Sequence, residues 1–400
     1  MNKNTLYRIF VVSLILLVSL SPLTVLDVKA QEENTWTSLA PMPTPREGLG
    51  LAVVNNKIYA IGGQTGRGFS DIVLDTNEMY DPSTNTWTTL TPIPTPRANF
   101  AITTHQNKIY VIAGKNELYS PFINTIEVYD TITDTWEIMD SEEIKTLAYL
   151  NAHTVDDKLF VIAGTSSPFP TGGYSYDNYY YSLLSKYWST KAPILHAVSF
   201  YASVAIDEKI YVIGGQSMYP SPYINNFTQI YDPVLDKWDL GVPMPTGERV
   251  IYGAVTSGVQ APKRIHVFGP SLHYVFDFET NIWTSESLLP SYRDRFQVAV
   301  INDFIYVMGG RDQNKNVIAT NEVYTPLEHK LTYSVPSPTP TITPTPTISP
   351  TPTIEPTNSP TSSPEPTDTE FPVFIVASII IIAVVSIVIL VYGAKTKRRS

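Results

Sequence analysis

KIYVIGG at residues 209–215 is followed, after a variable loop, by TQIYDPVLDKW at 228–238. The first stretch carries the apolar alternation of a β-strand packed between neighbouring sheets. Its closing glycines permit positive φ or close backbone approach. In the second stretch Asp232-Pro233 and the polar residues after it suit a tight turn. Tyr231 and Trp238 on either side supply large packing area.

The pair recurs. Strand-like runs ending in small residues stand at 57–63 (KIYAIGG), 108–114 (KIYVIAG), 158–164 (KLFVIAG), 264–269 (RIHVFG) and 304–310 (FIYVMGG). Aromatic runs follow them at 77–87 (NEMYDPSTNTW), 126–136 (IEVYDTITDTW), 179–188 (YYYSLLSKYW), 274–283 (YVFDFETNIW) and 321–326 (NEVYTP). Trp36, Trp87, Trp136, Trp188, Trp238 and Trp283 keep the same phase, 45 to 52 residues apart. A period near 50 marks a repeat architecture. The 25 Tyr, 33 Pro and 20 Gly suit short strands and turns, and the absence of cysteine excludes disulfides and thiolate metal sites.

These residues resemble the Kelch repeat, with its glycine doublet ending the second strand, its Tyr-Asp-Pro turn after the third and its Trp in the fourth. The resemblance covers about residues 36–330 and implies an all-β, six-bladed β-propeller. Blade 3 departs from the pattern with Tyr181-Ser182, and blade 5 with Phe268 and a longer hairpin, SGVQAPKR, at 257–264. Blades cannot bury their faces alone, so the ring must close. Trp36 precedes the first glycine strand, and Leu331 stands where the sixth repeat would place its Trp. Residues of about 34–40 are therefore expected to supply the outer strand of the last blade. The alternative is that Leu331-Thr332-Tyr333 completes it.

The chain ends read differently. Residues 1–30 have a basic start, Lys3 and Arg8, an apolar run from Ile9 to Leu20 and a small-residue site at Val28-Lys29-Ala30, as a signal peptide does. The propeller is expected over 31–335. Residues 336–370 hold 11 prolines among Thr and Ser and read as a disordered, extended stalk of up to about 100 Å. That tract resembles the stalks of archaeal and some Gram-positive surface proteins. Residues 371–393 contain the uncharged run VFIVASIIIIAVVSIVILVY, long enough for one transmembrane helix, and 394–400 form a basic tail expected to stay in the cytoplasm. The net charge of −10 hides a more acidic centre, with 20 basic residues against 36 acidic ones between 31 and 370. Such a surface repels phosphate backbones, so no nucleic acid partner is expected.

The loops between blades (PMPTPR, PIPTPR, PILH, PMPTGER and LPSYR) put Arg46, Arg97, His196, Arg249 and Arg293 near one mouth of the ring, with Lys145 near it in blade 3. Two roles are open. The resemblance implies loop support through backbone bonds. Charge implies a cationic funnel for a carboxylated or phosphorylated ligand. The loops after the glycine strands open on the same face and carry Tyr119, Phe122, Phe169, Tyr174, Tyr176, Tyr219 and Tyr223. Tyrosines suit protein contacts and sugar stacking, or they pack on each other as loop cores. Asn226-Phe227-Thr228 is the one N-glycosylation sequon of the central region.

No hydrolase, P-loop or dinucleotide motif stands in a supporting context. The six histidines (His105, His153, His196, His266, His273 and His329) lack zinc-ligand spacing. No catalytic residue, metal or cofactor is expected. Galactose oxidase-like enzymes share the repeat, but their Tyr–Cys cofactor needs a cysteine. Periplasmic N-acetylneuraminate epimerases share it too, and imply a surface-tethered sugar epimerase or mutarotase with Glu47 and Glu248 as acid/base candidates. The favoured reading is a single-pass cell-surface protein whose extracellular propeller binds a protein or glycan. From strand direction the third strand of blade 6 is expected to end on the face opposite the Arg and Tyr loops, and the stalk would then leave from that face.

Overall fold

The computed structural model describes residues 32–66, 72–116, 122–139, 144–145, 147–166, 173–217 and 223–329. The signal peptide, stalk, membrane helix and tail expected from the sequence lie outside the described residues, as do Leu331-Thr332-Tyr333. Among the described residues there is no helix.

Six four-stranded antiparallel sheets form the blades. Blade 1 is Gly50–Val54, Lys57–Ile61, Asn77–Asp81 and Thr86–Thr89. Blade 2 is Ala101–His105, Lys108–Ile112, Ile126–Asp130 and Thr135–Met139, and blade 3 is Asn151–Val155, Lys158–Ile162, Asn178–Ser182 and Tyr187–Thr190. Blade 4 is Ala202–Ile206, Lys209–Ile213, Thr228–Asp232 and Lys237–Leu240, and blade 5 is Tyr252–Val255, Arg264–Phe268, His273–Asp277 and Ile282–Ser285. Blade 6 takes Gln297–Ile301, Phe304–Met308 and Asn321–Thr325 from the end of the described chain, and Thr35–Ser38 from its beginning.

The N-terminal strand therefore closes the ring, as the offset tryptophans imply. Trp36 lies opposite Tyr324 in the register, as Trp87 does Tyr80 and Trp136 does Tyr129. The ring centroids of these three pairs are 4.9–5.0 Å apart. Blade 3 keeps the pair in Tyr181 and Trp188, and Ser182 Oγ accepts from Ser185 N where other blades use the turn aspartate. The residue before each outer strand is left-handed: Asn34, Asn85, Asp134, Lys186, Asp236 and Asn281 have φ of 51–57°. Asn and Asp tolerate that conformation best. Several also receive the tyrosine hydroxyl: Tyr80 donates to Asn85, Tyr231 to Asp236, and Tyr324 to Asn34.

Each inner strand touches the inner strands of both neighbouring blades, all round the ring. The apolar core is divided accordingly, with one buried cluster at each of the six blade–blade interfaces. The indole N–H groups of Trp87, Trp136, Trp238 and Trp283 cross these interfaces to carbonyls of the preceding blade at 2.9–3.0 Å. The glycine doublet has two different demands. Its first position is Ala113 and Ala163 in blades 2 and 3, at φ of 58° and 53°. The second, with φ of 84–98°, is glycine in each of those copies, because that region is strained for any residue with a Cβ.

Strand direction defines two faces. The hairpin turns after strands 1 and 3 lie on one, the turn face. The long loops after strand 2 and the blade-to-blade loops lie on the other, the loop face. The propeller begins and ends on the turn face, where Asn34 N donates to Thr325 O at 2.8 Å.

Candidate functional site: the axial mouth of the loop face

Arg46, Arg97 and Arg293 do not form a solvent-facing funnel. All three are fully buried. Arg46 pairs with Glu78 at 2.9 Å, Arg97 with Glu127 at 2.9 Å, and Arg293 with Glu322. Each also donates to backbone carbonyls of its own blade: Ala60 O, Ala113 O and Thr125 O, and Val307 O respectively. Burial lowers each guanidinium pKa and the paired glutamate opposes the shift. The loop-support role is the one these three residues fill, and a ligand on the surface cannot reach them.

The left-handed residues Gly48, Asn99, Tyr149, Phe200, Val250 and Arg295, two positions before the inner strands, put the six blades in register. In that register the arginine position holds Leu147 in blade 3, Val198 in blade 4 and Glu248 in blade 5. The glutamate position changes with it, to Tyr179, Gln229 and Tyr274. His196 and Arg249 are thus neighbours of the arginine position, not occupants of it. Both are exposed. His196 stacks on Phe227 at 4.7 Å, and its backbone N–H donates to Gln229. Arg249 N donates to Glu248 Oε1 at 3.0 Å, and Glu248 Oε2 accepts from Ser271 at 3.2 Å. Lys145 pairs with Asp177 at 2.9 Å.

The same six left-handed residues surround the axis. Gly48 N donates to Arg295 O at 3.1 Å, Asn99 N to Gly48 O at 2.8 Å and Tyr149 N to Asn99 O at 2.9 Å, tying adjacent blades together. Tyr149 stacks on Phe200 at 4.2 Å. Beside this rim, Glu47 receives Gln64 Nε2 at 2.8 Å and Arg295 Nη1 at 3.2 Å on one oxygen, and Arg311 Nε at 3.1 Å on the other. Arg311 also reaches Asp294 at 3.6 Å. Sequence reasoning missed Arg295, Arg311 and Asp294; the isolated bridges Glu47–Gln64 and Asp294–Arg311, which repeat from blade to blade, bring them to the mouth.

Below the rim an axial cavity of about 220 Å³ is lined by inner-strand residues of all six blades. Its polar contacts include Thr103 with Thr154 at 3.1 Å and His153 Nε2 with Ser203 Oγ at 2.7 Å. Burial lowers the His153 pKa to about 4, so its imidazole is neutral at pH 7. Burial raises the Tyr252 hydroxyl, with Asp294 and Glu47 adding to the shift. No carboxylate lines this cavity. A larger crevice of about 440 Å³ opens between blades 4 and 5, where Gly241 stands at the position of Leu39 and Leu90 in the N-terminal strand and blade 1.

Among the loop aromatics, Tyr176 is 56 % exposed and Phe122 is buried, edge-on to Tyr149 at 6.3 Å. Tyr174 is half-buried, and its backbone bridges Thr165. Tyr223 pairs through its backbone with Ser217. Tyr119, Phe169 and Tyr219 lie outside the described residues. Asn226 Nδ2, the atom a glycan would occupy, donates to Met244 O at 2.8 Å. That bond holds the sequon against the next blade-to-blade loop.

Residues 19–270 match the family model of the Attractin/LZTR1 β-propeller. The chain is also similar to Kelch-like protein 15 of Danio rerio (25 % identity, 69 % of this chain and 48 % of that protein). Kelch-like protein 15 of Homo sapiens is 24 % identical over 70 % of this chain and 49 % of its own length, and Kelch-like protein 35 of Mus musculus 27 % over 70 % and 45 %. The chain spans about half the length of these curated relatives. With six phased blades and a match over well over half its length, the chain belongs to the Attractin/LZTR1 β-propeller family of Kelch-like propellers.

Proposed function

We propose that this chain is a membrane-tethered surface recognition protein that captures a protein partner on its loop face. A Kelch-type propeller is a protein-interaction scaffold. The observation that carries the finer reading is the hydrogen bond between Asn34 N and Thr325 O, at 2.8 Å. It puts both described ends of the propeller on the turn face, opposite the loop face. A signal peptide, a stalk of up to about 100 Å and a membrane helix would then hold that face away from the membrane. The likeness of the stalk to prokaryotic surface-protein stalks supports the same address. Exposed Tyr176, His196 and Arg249 are the described loop-face contacts for a partner.

Photo-crosslinking in intact source cells tests this. A crosslinker at Tyr176 or Arg249 of the full chain should yield a discrete protein adduct, and one at Ser83 or Val234 on the turn face should not. Adducts only from the turn face would sink the reading, and adducts that carry glycan alone would shift it to carbohydrate. External protease should remove the propeller from these cells while a C-terminal tag survives.

A surface-tethered sugar epimerase is the second reading, and Glu47 between Arg295 and Arg311 is the observation in its favour. Both oxygens of Glu47 are ion-paired, one to Arg295 and the other to Arg311. Turnover of N-acetylneuraminate anomers by the full chain, lost in E47Q, would establish it.

A further inference from the structure

Blade 5 departs from the repeat at three positions that meet in space. The third residue of the second strand is Tyr or Phe in the other five blades and His266 here. The third strand begins with Asn77, Asn178 and Asn321 in blades 1, 3 and 6, and with His273 here. The residue three after the tryptophan is Leu39, Leu90 or Met139 in three blades and Glu286 here. The register sets His266 opposite Val275 and Phe268 opposite His273, so the two histidines are diagonal neighbours on one face of the hairpin. His266 Nδ1 lies 3.1 Å from His273 Nε2, and with the Glu286 carboxylate the three ligand atoms fall within 4.8 Å of one another.

Hydrogen bonding dictates the protons. Ser287 O only accepts, so His273 donates to it from Nδ1, at 2.9 Å. Its Nε2 is then a lone pair, and His266 donates to that from Nδ1. The remaining nitrogen, His266 Nε2, is buried without a hydrogen-bond partner. Burial keeps both imidazoles neutral at pH 7, the form that binds metals. Arg264 is the nearby cation, and Asp277 at 2.8 Å and Glu328 at 2.9 Å already offset it.

We propose that His266, His273 and Glu286 form a site for a zinc-class divalent cation at the interface of blades 5 and 6. Two imidazoles and one carboxylate suit Zn²⁺ or Co²⁺ better than Ca²⁺ or Mg²⁺, which take oxygen sets. Bonds of about 2.05 Å to a tetrahedral metal separate its ligands by about 3.3 Å. The facing nitrogens already stand at 3.1 Å. Glu286, whose carboxylate contacts the Tyr324 hydroxyl, closes the set by moving toward the two nitrogens, and water takes the fourth position. The metal replaces the proton between the two rings. His266 moves that proton to Nε2, and Glu286 binds as the carboxylate, releasing any proton it holds. Tyr324 keeps Asn34 as its acceptor, so binding leaves the closure of the ring intact.

The test uses the full chain in detergent, stripped with EDTA and returned to Zn²⁺. One zinc per chain should survive gel filtration. The melting temperature should rise by about 4 °C at roughly a hundred times the dissociation constant. H266Y and H273N carry residues that other blades use, so both should fold, and each should weaken zinc binding at least tenfold. E286L should weaken it too. Zinc uptake and stabilisation equal to those of the H266Y/H273N chain would overturn the proposal. So would a Co²⁺-loaded wild-type chain without the intense visible bands of tetrahedral coordination, a readout that does not depend on how the variants fold.

Discussion

Arg97 and Glu127 meet at 2.9 Å with neither side chain exposed to solvent. Removing one partner of such a pair strands the other charge, which typically costs about 3–5 kcal/mol. Blade 3 shows the apolar solution to the same position, Leu147 with Tyr179. R97L alone should therefore destabilise strongly. R97L/E127Y should return to within about 1–2 kcal/mol of wild type, since well-packed replacements of buried pairs are often neutral. Urea unfolding of the two variants checks this.

Trp36 sits 5.0 Å from Tyr324 and 5.9 Å from Phe268, joining the N-terminal strand to blades 5 and 6. W36A should cost about 3–5 kcal/mol, the range for a large aromatic lost from a core. Deleting Thr35–Ser38 should do more, because Asn321–Thr325 becomes an unpaired edge. Light scattering after gel filtration should find that variant as oligomers.

His153 titrates near pH 4 in the folded state against 6.5 in its ordinary state. Between those values the unfolded chain holds the extra proton. The stabilisation is therefore complete above pH 6.5 and is lost as the pH falls toward 4, at up to about 1.4 kcal/mol per pH unit. H153T borrows the residue that blade 2 has there, Thr103. Its urea midpoint should fall less steeply than that of wild type between about pH 6.5 and 4.5.

Gly310 has a φ of 93°, and a Cβ added to it would stand 2.5 Å from Asp294 O. Gly309, at 66°, occupies the position that Ala113 and Ala163 fill in other blades. A Cβ at Gly309 would likewise stand 2.5 Å from a backbone oxygen, Arg46 O, so G310A and G309A should each cost about 1–3 kcal/mol, as thermal melts of the pair would reveal.

Most of the ring was legible. Six glycine strands and six tryptophans share one phase, and their offset foretold the strand exchange at Trp36. The arginines were harder. PMPTGER looks like PMPTPR, yet the left-handed residues Gly48 and Val250 align Arg46 with Glu248, so blade 5 has a glutamate at the arginine position and Tyr274 at the glutamate position. One signal was available. Glu78, Glu127 and Glu322 occur where Arg46, Arg97 and Arg293 do, and other residues stand where those arginines are replaced. Such covariation marks a buried pair, not a funnel. The rim was not legible, because Glu47, Arg295 and Arg311 are far apart in sequence and meet only when the ring closes. His266 and His273 match no ligand spacing because a hairpin, rather than a helix, brings them together.

Asn321–Thr325 is flanked by Phe304–Met308 on one side and Thr35–Ser38 on the other, and it runs toward the turn face. A pull on the C-terminal end of the propeller, resisted by a partner on the loop face, loads this strand along its own axis. Its ladder bonds lie across that direction. They must fail together in shear instead of opening one at a time. The strand borrowed from the N-terminus doubles the number that share the load.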